Sequence, residues 1–173
     1  MKIKDIKQKF ESKVLNKVEF VDTMHEFHKV LFDLSENLAN TEIAKIEIED
    51  GKVIFTSRKT PFHPGGAKFY VDVLDKRITP LEAFNFNMYE QEDSEMLYKL
   101  VSENDTIFDI GANIGWYSNH LSKKLPNSTI YAFEPIPETF AQVKRNTELN
   151  QSKNIFLNNV ALSDKIQTLT FFY

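Results

Sequence analysis

The chain has 173 residues, which suits one ordinary domain with a small additional element. It contains no cysteine, so disulfides, thiolate metal sites and cysteine nucleophiles are excluded. Its net charge of −4 disfavours a nucleic-acid-binding surface. No apolar run approaches the roughly 18 residues that a membrane span needs, and the charged start MKIKDIKQKF lacks the apolar core of a signal peptide. We therefore expect a cytoplasmic protein without a membrane span and without a nucleic-acid partner.

Apolar residues recur at spacings of three and four across the first 39 residues. Residues 2–18 and 22–39 each carry this pattern, which predicts helices. Asp22 or Thr23 is predicted to cap the second helix. The pattern fits one bent helix and a helical hairpin equally well.

The period then changes to that of a β-strand. Residues 43–56 alternate in polarity around the dipeptide Asp50-Gly51, which predicts a β-hairpin with a tight turn. Residues 68–75 are predicted to form a third strand, and residues 77–87 are predicted to be irregular.

From residue 89 onward, strands and helices alternate. The predicted elements are a helix at 92–103, a strand at 106–110, a helix ending near 124, a strand at 129–133, a helix at 138–150, a strand at 154–160 and a final strand at 168–173. This alternation is typical of a parallel, doubly wound sheet. The predicted fold class is therefore α/β, with a partial Rossmann-like sheet at residues 89–173 that follows an accessory region of helices and a β-hairpin at residues 1–88.

The segment TIFDIGANIGWYS, residues 106–118, joins a buried strand to a glycine turn. Asp109 lies near the end of the strand, Gly111 permits a tight turn, and Gly115 lets the next helix begin close to the sheet. Ligands of parallel sheets bind at this edge, where backbone N–H groups collect at the helix N-terminus. The segment therefore predicts a ligand site.

The residue types in this turn indicate the class of ligand. The pattern D-x-G-x-N-x-G lacks the middle glycine of the dinucleotide fingerprint, which permits close approach of a pyrophosphate. An acidic Asp109 disfavours a phosphate and suits an ammonium group, such as that of S-adenosylmethionine. The pattern therefore favours S-adenosylmethionine over a dinucleotide. A third alternative is a turn in which Asp109 caps the helix and no ligand binds.

Acidic and polar residues also follow the next two strands. Glu134, in YAFEPIPETF, ends the second strand, where a carboxylate can accept both ribose hydroxyls. Pro135 stiffens the chain beyond it. After the third strand, Asn159 and the backbone around Val160 and Ala161 are expected to read the edge of an adenine ring.

These segments resemble the FkbM family of S-adenosylmethionine-dependent methyltransferases. The similarity covers residues 88–173 and lies in FDIGANIGWYS, AFEPIPETF, VALSD, the helix residues Asn146 and Asn150, and the pair Tyr89-Glu90. The resemblance implies methyl transfer, mostly to hydroxyls of sugars, glycans or natural products. It implies cofactor contacts from Asp109, Gly111, Asn113, Gly115 and Glu134. The complete set of candidate cofactor-binding residues is Glu90, Asp109, Gly111, Ala112, Asn113, Gly115, Glu134, Pro135, Asn159, Val160 and Ala161.

The 64 residues after Asp109 are too few for all the strands that this resemblance implies. We therefore expect a truncated or split methyltransferase, or one that a second copy or a partner chain completes. The alternative is a non-catalytic cofactor-binding or scaffold module that lacks the C-terminal half of the domain. The sequence identifies no catalytic residue.

The histidines do not predict a metal site. His25 and His28 are three residues apart on a predicted helix, but no third ligand accompanies them. His120 follows the glycine turn and is expected to point outward.

Overall fold

The computed structural model describes residues 2–72 and 79–168. It divides the chain into two compact units, Met1–Asn40 and Thr41–Tyr173. Residues 73–75 and 169–173, which belong to predicted strands, lie outside the described residues. The domain boundary at residue 88 stays a prediction.

The first unit is a helical hairpin. Helix α1 (Ile3–Glu11) packs against helix α2 (Lys17–Leu38). The rings of Phe10 and Phe20 stack with their centroids 4.4 Å apart. Of the two arrangements that the sequence left open, the hairpin is the one observed.

Asn16 caps α2, so the predicted caps Asp22 and Thr23 were wrong. The Asn16 Oδ1 accepts hydrogen bonds from the N–H groups of Val18 and Glu19, at 2.9 and 3.0 Å. The Glu19 carboxylate in return accepts the N–H of Asn16 at 2.9 Å, which completes a capping box. This reciprocal pair places the start of the helix before the point at which the second apolar pattern begins.

The second unit opens with an antiparallel sheet. Strands β1 (Ile43–Glu49), β2 (Lys52–Ser57) and β3 (Lys68–Val71) lie in the order β1-β2-β3. The predicted hairpin turn is confirmed, because Asp50 and Gly51 have φ angles of 48° and 73°.

Two short helices follow this sheet. Helix α3 (Thr79–Asn85) occupies a segment that was predicted to be irregular. Pro80 suits its first turn, where an N–H group has no helical partner in any case. The prediction was wrong because a helix of 7 residues is too short to show a clear apolar period. Helix α4 (Gln91–Leu100) confirms the helix predicted at 92–103.

A parallel sheet completes the second unit. Its elements are strand β4 (Thr106–Ile110), helix α5 (Trp116–Lys124), strand β5 (Thr129–Phe133), helix α6 (Pro137–Asn150) and strand β6 (Ile155–Asn158). The strands are parallel and lie in the order β4-β5-β6. The predicted fold class, a partial Rossmann-like α/β sheet preceded by helices and a β-hairpin, is confirmed.

Helix α5 contacts both sheets. Leu121 and Leu125 form a buried cluster with Ile130 of β5. At the start of the same helix, the indole of Trp116 stacks on Phe69 of β3, with 4.7 Å between the ring centroids. The antiparallel sheet therefore packs on the helix that follows the glycine turn.

One face of the parallel sheet carries exposed aromatic side chains. Phe108 and Ile110 of β4 are 57% and 65% exposed. The rings of Phe108 and Tyr131 stack with 5.5 Å between centroids, and Phe156 continues the row. Within residues 2–72 and 79–168, β4 has a partner strand on one side only. No helix within these ranges is long and apolar enough to cross a membrane.

His120 is fully buried, which corrects the expectation that it points outward. It lies where the antiparallel sheet packs on α5, a packing that the sequence did not reveal. Its Nδ1 donates to the carbonyl of Trp116 at 2.9 Å, and its Nε2 has no hydrogen-bond partner among the described residues. Burial, and next the proximity of His63, lowers the pKa of His120 well below its usual value.

The burial of His120 predicts a loss of stability in mild acid. Below about pH 6.5 the unfolded chain binds a proton at His120 that the folded chain does not, so stability falls as the pH falls. Between about pH 7.5 and 5.5, this one residue lowers the free energy of unfolding by about 1.4 kcal/mol. Urea unfolding of the parent chain and of His120→Phe measures this contribution as a difference.

His28→Gln provides the control, because it removes a histidine from an exposed position of α2. An identical pH dependence in His120→Phe and the parent chain would contradict the assignment.

Candidate functional site

The glycine turn between β4 and α5 uses its own peptide groups to fix its shape. The N–H groups of Gly111 and Ala112 both donate to the carbonyl of Phe133, at 2.9 Å each. The N–H of Gly115 donates to the carbonyl of Ala112 at 2.7 Å. The turn is therefore anchored to the end of β5.

The carboxylate of Glu134 holds the same turn from the neighbouring strand. Its Oε2 accepts the N–H of Asn113 at 3.0 Å, and its Oε1 accepts the N–H of Ile136 at 2.9 Å. Four of the five N–H groups in residues 111–115 are thus engaged within the protein. Glu134 is 6% exposed, and each of its carboxylate oxygens has a second lone pair for another donor.

Asp109 contacts the first turn of α5. Its Oδ2 accepts a hydrogen bond from the hydroxyl of Ser118. Burial raises the pKa of Asp109, the hydroxyl and backbone N–H of Ser118 lower it, and the charge of Glu134 raises it. The hydrogen bond from Ser118 ties the end of β4 to the first turn of α5. Burial and the neighbouring carboxylate of Glu134 both disfavour an uncompensated negative charge on Asp109, which favours a cation nearby.

Gly111 and Gly115 have the same left-handed φ of 81° but different surroundings. A Cβ on Gly115 would lie 2.6 Å from Val143 Cγ2 of α6 and 2.9 Å from Asn119 Nδ2. A Cβ on Gly111 would have no atom within 4 Å. Gly115 therefore permits close contact between α5 and α6, whereas the sequence suggested contact with the sheet.

The first turn of α5 also binds Glu90. The Tyr117 hydroxyl donates to the Glu90 Oε2 at 2.7 Å. Burial, and also the Glu90 carboxylate, raises the pKa of Tyr117, so this phenol stays protonated as a donor. Sequence reasoning missed Tyr117 and Ser118, although their polar side chains directly follow the last glycine of the motif.

A buried histidine–carboxylate pair supports the segment that carries Glu90. His63 Nε2 lies 2.7 Å from Glu42 Oε1, and both side chains are 2% exposed. Because the N–H of Gly65 donates to His63 Nδ1, the proton lies on Nε2 and donates to Glu42. The Glu42 Oε2 accepts the N–H of Tyr89 at 3.0 Å. The pair fixes the backbone immediately before Glu90.

An open pocket of about 720 Å³ lies beside the segments that follow β5 and β6. It is lined by Pro135, Ile136, Pro137 and residues 159–168, which include the predicted Asn159, Val160 and Ala161. The Asn159 Nδ2 donates to the carbonyl of Glu134 at 2.8 Å, so Asn159 ties the two strand exits together. The described part of the chain contains no group of three His, Asp or Glu residues that could hold a metal ion.

Several curated methyltransferases are similar to part of this chain. Methyltransferase 1 of Beauveria bassiana is 40% identical over 68 residues, which are 38% of this chain and 27% of that protein. The 31-O-demethyl-FK506 methyltransferase FkbM of Streptomyces tacrolimicus is 33% identical over 70 residues, or 39% of this chain and 26% of that protein. The resemblance to FkbM-type methyltransferases is confirmed over part of the chain.

The hexuronic acid methyltransferase AglP of Haloferax volcanii is 34% identical over 59 residues, or 34% of this chain and 23% of that protein. The chain thus spans about a quarter of the length of the curated relatives it matches. No family model matches it.

Solved methyltransferase structures are similar at a lower level. The precorrin-6y C5,15-methyltransferase of Geobacter metallireducens has 28% identity and a TM-score of 0.36, covering 39% of this chain and 37% of that one. TYW2 of M. jannaschii, in complex with AdoMet, has 22% identity and a TM-score of 0.43, covering 62% and 43%. Because these similarities are weak and partial, the fold assignment rests on the observed sheet.

The two glycines of the turn provide a matched pair of substitutions. Gly111→Ala places a Cβ on a residue with a left-handed φ but causes no steric overlap, so it is expected to lower the free energy of unfolding by about 1–2 kcal/mol. Gly115→Ala introduces the same strain and the overlap with Val143, which adds about 1–3 kcal/mol. Urea unfolding is therefore expected to show a clearly larger loss for Gly115→Ala. Equal losses would contradict the close contact between α5 and α6.

Proposed function

We propose that this chain forms the cofactor-binding half of an S-adenosylmethionine-dependent methyltransferase. The observation that carries the proposal is the pair of carboxylates, Asp109 and Glu134, at the ends of adjacent strands. The N–H groups of the turn between them are largely engaged within the protein. A pyrophosphate needs free N–H donors, whereas an ammonium group and ribose hydroxyls need acceptors. The site therefore suits S-adenosylmethionine better than a dinucleotide.

The chemistry of the site fits this cofactor in three places. The charge of Asp109 suits the ammonium group, the lone pairs of Glu134 suit the ribose hydroxyls, and the pocket at residues 159–168 suits the adenine ring. When bound, S-adenosylmethionine supplies a methyl group from its sulfonium centre. The chain's residues bind and orient, which is the main requirement of an in-line methyl transfer. No residue is assigned as a catalytic base.

The proposed acceptor is a hydroxyl of a sugar, glycan or natural product. Two relatives support this class by their names, a 31-O-demethyl-FK506 methyltransferase and a hexuronic acid methyltransferase. A cytoplasmic location stays a prediction.

The first test is calorimetry with S-adenosylhomocysteine, which keeps the ammonium group and the ribose. We expect binding that weakens about tenfold or more in Asp109→Asn and in Glu134→Gln, because each loses charge-assisted hydrogen bonds. Because burial raises the pKa of Asp109, binding is expected to weaken as the pH falls, and Asp109→Asn is expected to flatten this dependence.

Glu148→Gln is the control, because it removes the same charge from an exposed position near the other end of α6. Its affinity is expected to match that of the parent chain. Binding of NAD without binding of S-adenosylhomocysteine would overturn the proposal in favour of a dinucleotide enzyme.

The second candidate function is a non-catalytic S-adenosylmethionine-binding or scaffold module. The exposed face at Phe108 and Ile110 favours it. Transfer of a labelled methyl group to a hydroxyl acceptor separates the two: transfer supports the enzyme, and cofactor binding without transfer supports the module.

We also propose that further polypeptide, in a second copy or a completing chain, covers this exposed face. Intact mass and gel filtration test this, and we expect association. A well-behaved folded monomer of 20.1 kDa would contradict it.

A further inference from the structure

Two asparagines of α6 cover the open edge of β3. The Asn150 Oδ1 accepts the N–H of Lys68 at 2.8 Å, and its Nδ2 donates to the carbonyl of Lys68 at 2.7 Å. One turn earlier, the Asn146 Oδ1 accepts the N–H of Tyr70 at 3.0 Å. The side chains thus take the place of a neighbouring strand along this edge.

The spacing of the two elements makes this arrangement possible. Residues four apart on a helix are separated by about 6 Å along its axis. Residues two apart on a strand are separated by about 6.6 Å, and their N–H groups point to the same edge. Asn146 and Asn150 therefore align with Tyr70 and Lys68 without distortion of either element.

Asn146 has a second contact that Asn150 lacks. Its Nδ2 donates to the carbonyl of Ile114, in the glycine turn, at 2.9 Å. Asn146 is 1% exposed, so water cannot readily replace either hydrogen bond. One carboxamide therefore joins the antiparallel sheet directly to the turn beside Asp109 and Glu134.

We propose that Asn146 is a positioning residue that couples the antiparallel sheet to the glycine turn between β4 and α5. Its acceptor oxygen fixes the distance of α6 from β3, and its donor fixes the Ile114 peptide relative to α6. Movement of β3 therefore displaces the turn, and a firmly held β3 keeps the turn in shape for a ligand. The effect on ligand binding rests on the proposed function, whereas the coupling itself is independent of any ligand.

The coupling is tested first in the unmodified chain, without ligand, by hydrogen exchange in increasing urea. The amide of Tyr70 bonds to Asn146, and the amides of Asn113 and Gly115 belong to the turn. We expect these three amides to share one opening reaction with the same urea dependence. Opening of Tyr70 in a separate step, with the turn still protected, would overturn the proposal.

Substitutions then separate positioning from general stabilisation. Asn146→Ala is expected to speed exchange of the Asn113 and Gly115 amides about tenfold, the equivalent of one lost hydrogen bond. Asn150→Ala, the matched control, removes the contacts with Lys68 and the hydrogen bond to the carbonyl of Asn146, and it is expected to leave the turn amides within about twofold of the parent chain. Equal effects of the two variants on the turn would overturn the proposal.

Asn146→Asp isolates the contact with the turn. At a pH where the new side chain is ionised, the carboxylate still accepts the N–H of Tyr70 but has no donor for the carbonyl of Ile114. At a temperature where both variants are folded, Asn146→Asp is expected to bind S-adenosylhomocysteine about tenfold more weakly than Asn150→Asp. Equal affinities would overturn the role in binding. If the parent chain does not bind S-adenosylhomocysteine, the proposed function is wrong. The hydrogen-exchange experiment still decides whether the coupling exists.

Discussion

The rest of the site depends on the close contact between α5 and α6 at Gly115. Because this residue has no Cβ, Val143 and the Asn119 amide can approach its backbone. The Asn119 Nδ2 then donates to the carbonyl of Gly115 at 2.8 Å, and the α6 residue Asn146 reaches the carbonyl of Ile114. A side chain at position 115 would separate the two helices and break these contacts together.

This contact fixes three successive side chains at the start of α5. Trp116 stacks on β3, Tyr117 binds Glu90, and Ser118 binds Asp109. One helical turn thus connects the antiparallel sheet, the segment before α4 and the end of β4. The charged groups of the site come from separate parts of the chain and share this one turn as their support.

The electrostatics of the site follow from the same geometry. The N–H groups of the turn donate to Phe133, Glu134 and Ala112, so the surface of the turn offers few donors for an anion. Burial and the proximity of Glu134 make the charge of Asp109 costly, and a cationic ligand group would lower that cost. The geometry therefore supports the cationic ligand group that the acidic Asp109 suggests in the sequence.

The sequence by itself determined the alternation of strands and helices from Thr106 to Asn158, because buried parallel strands and amphipathic helices have distinct apolar periods. It also placed Asp109 and Glu134 at strand ends, where side chains of a parallel sheet meet. The tertiary structure alone decided how these residues are used. The burial of His120 and the bridge by Asn146 depend on a second sheet packed against α5 and α6. Local periodicity carries no information about such contacts, because they join segments that are distant in the chain.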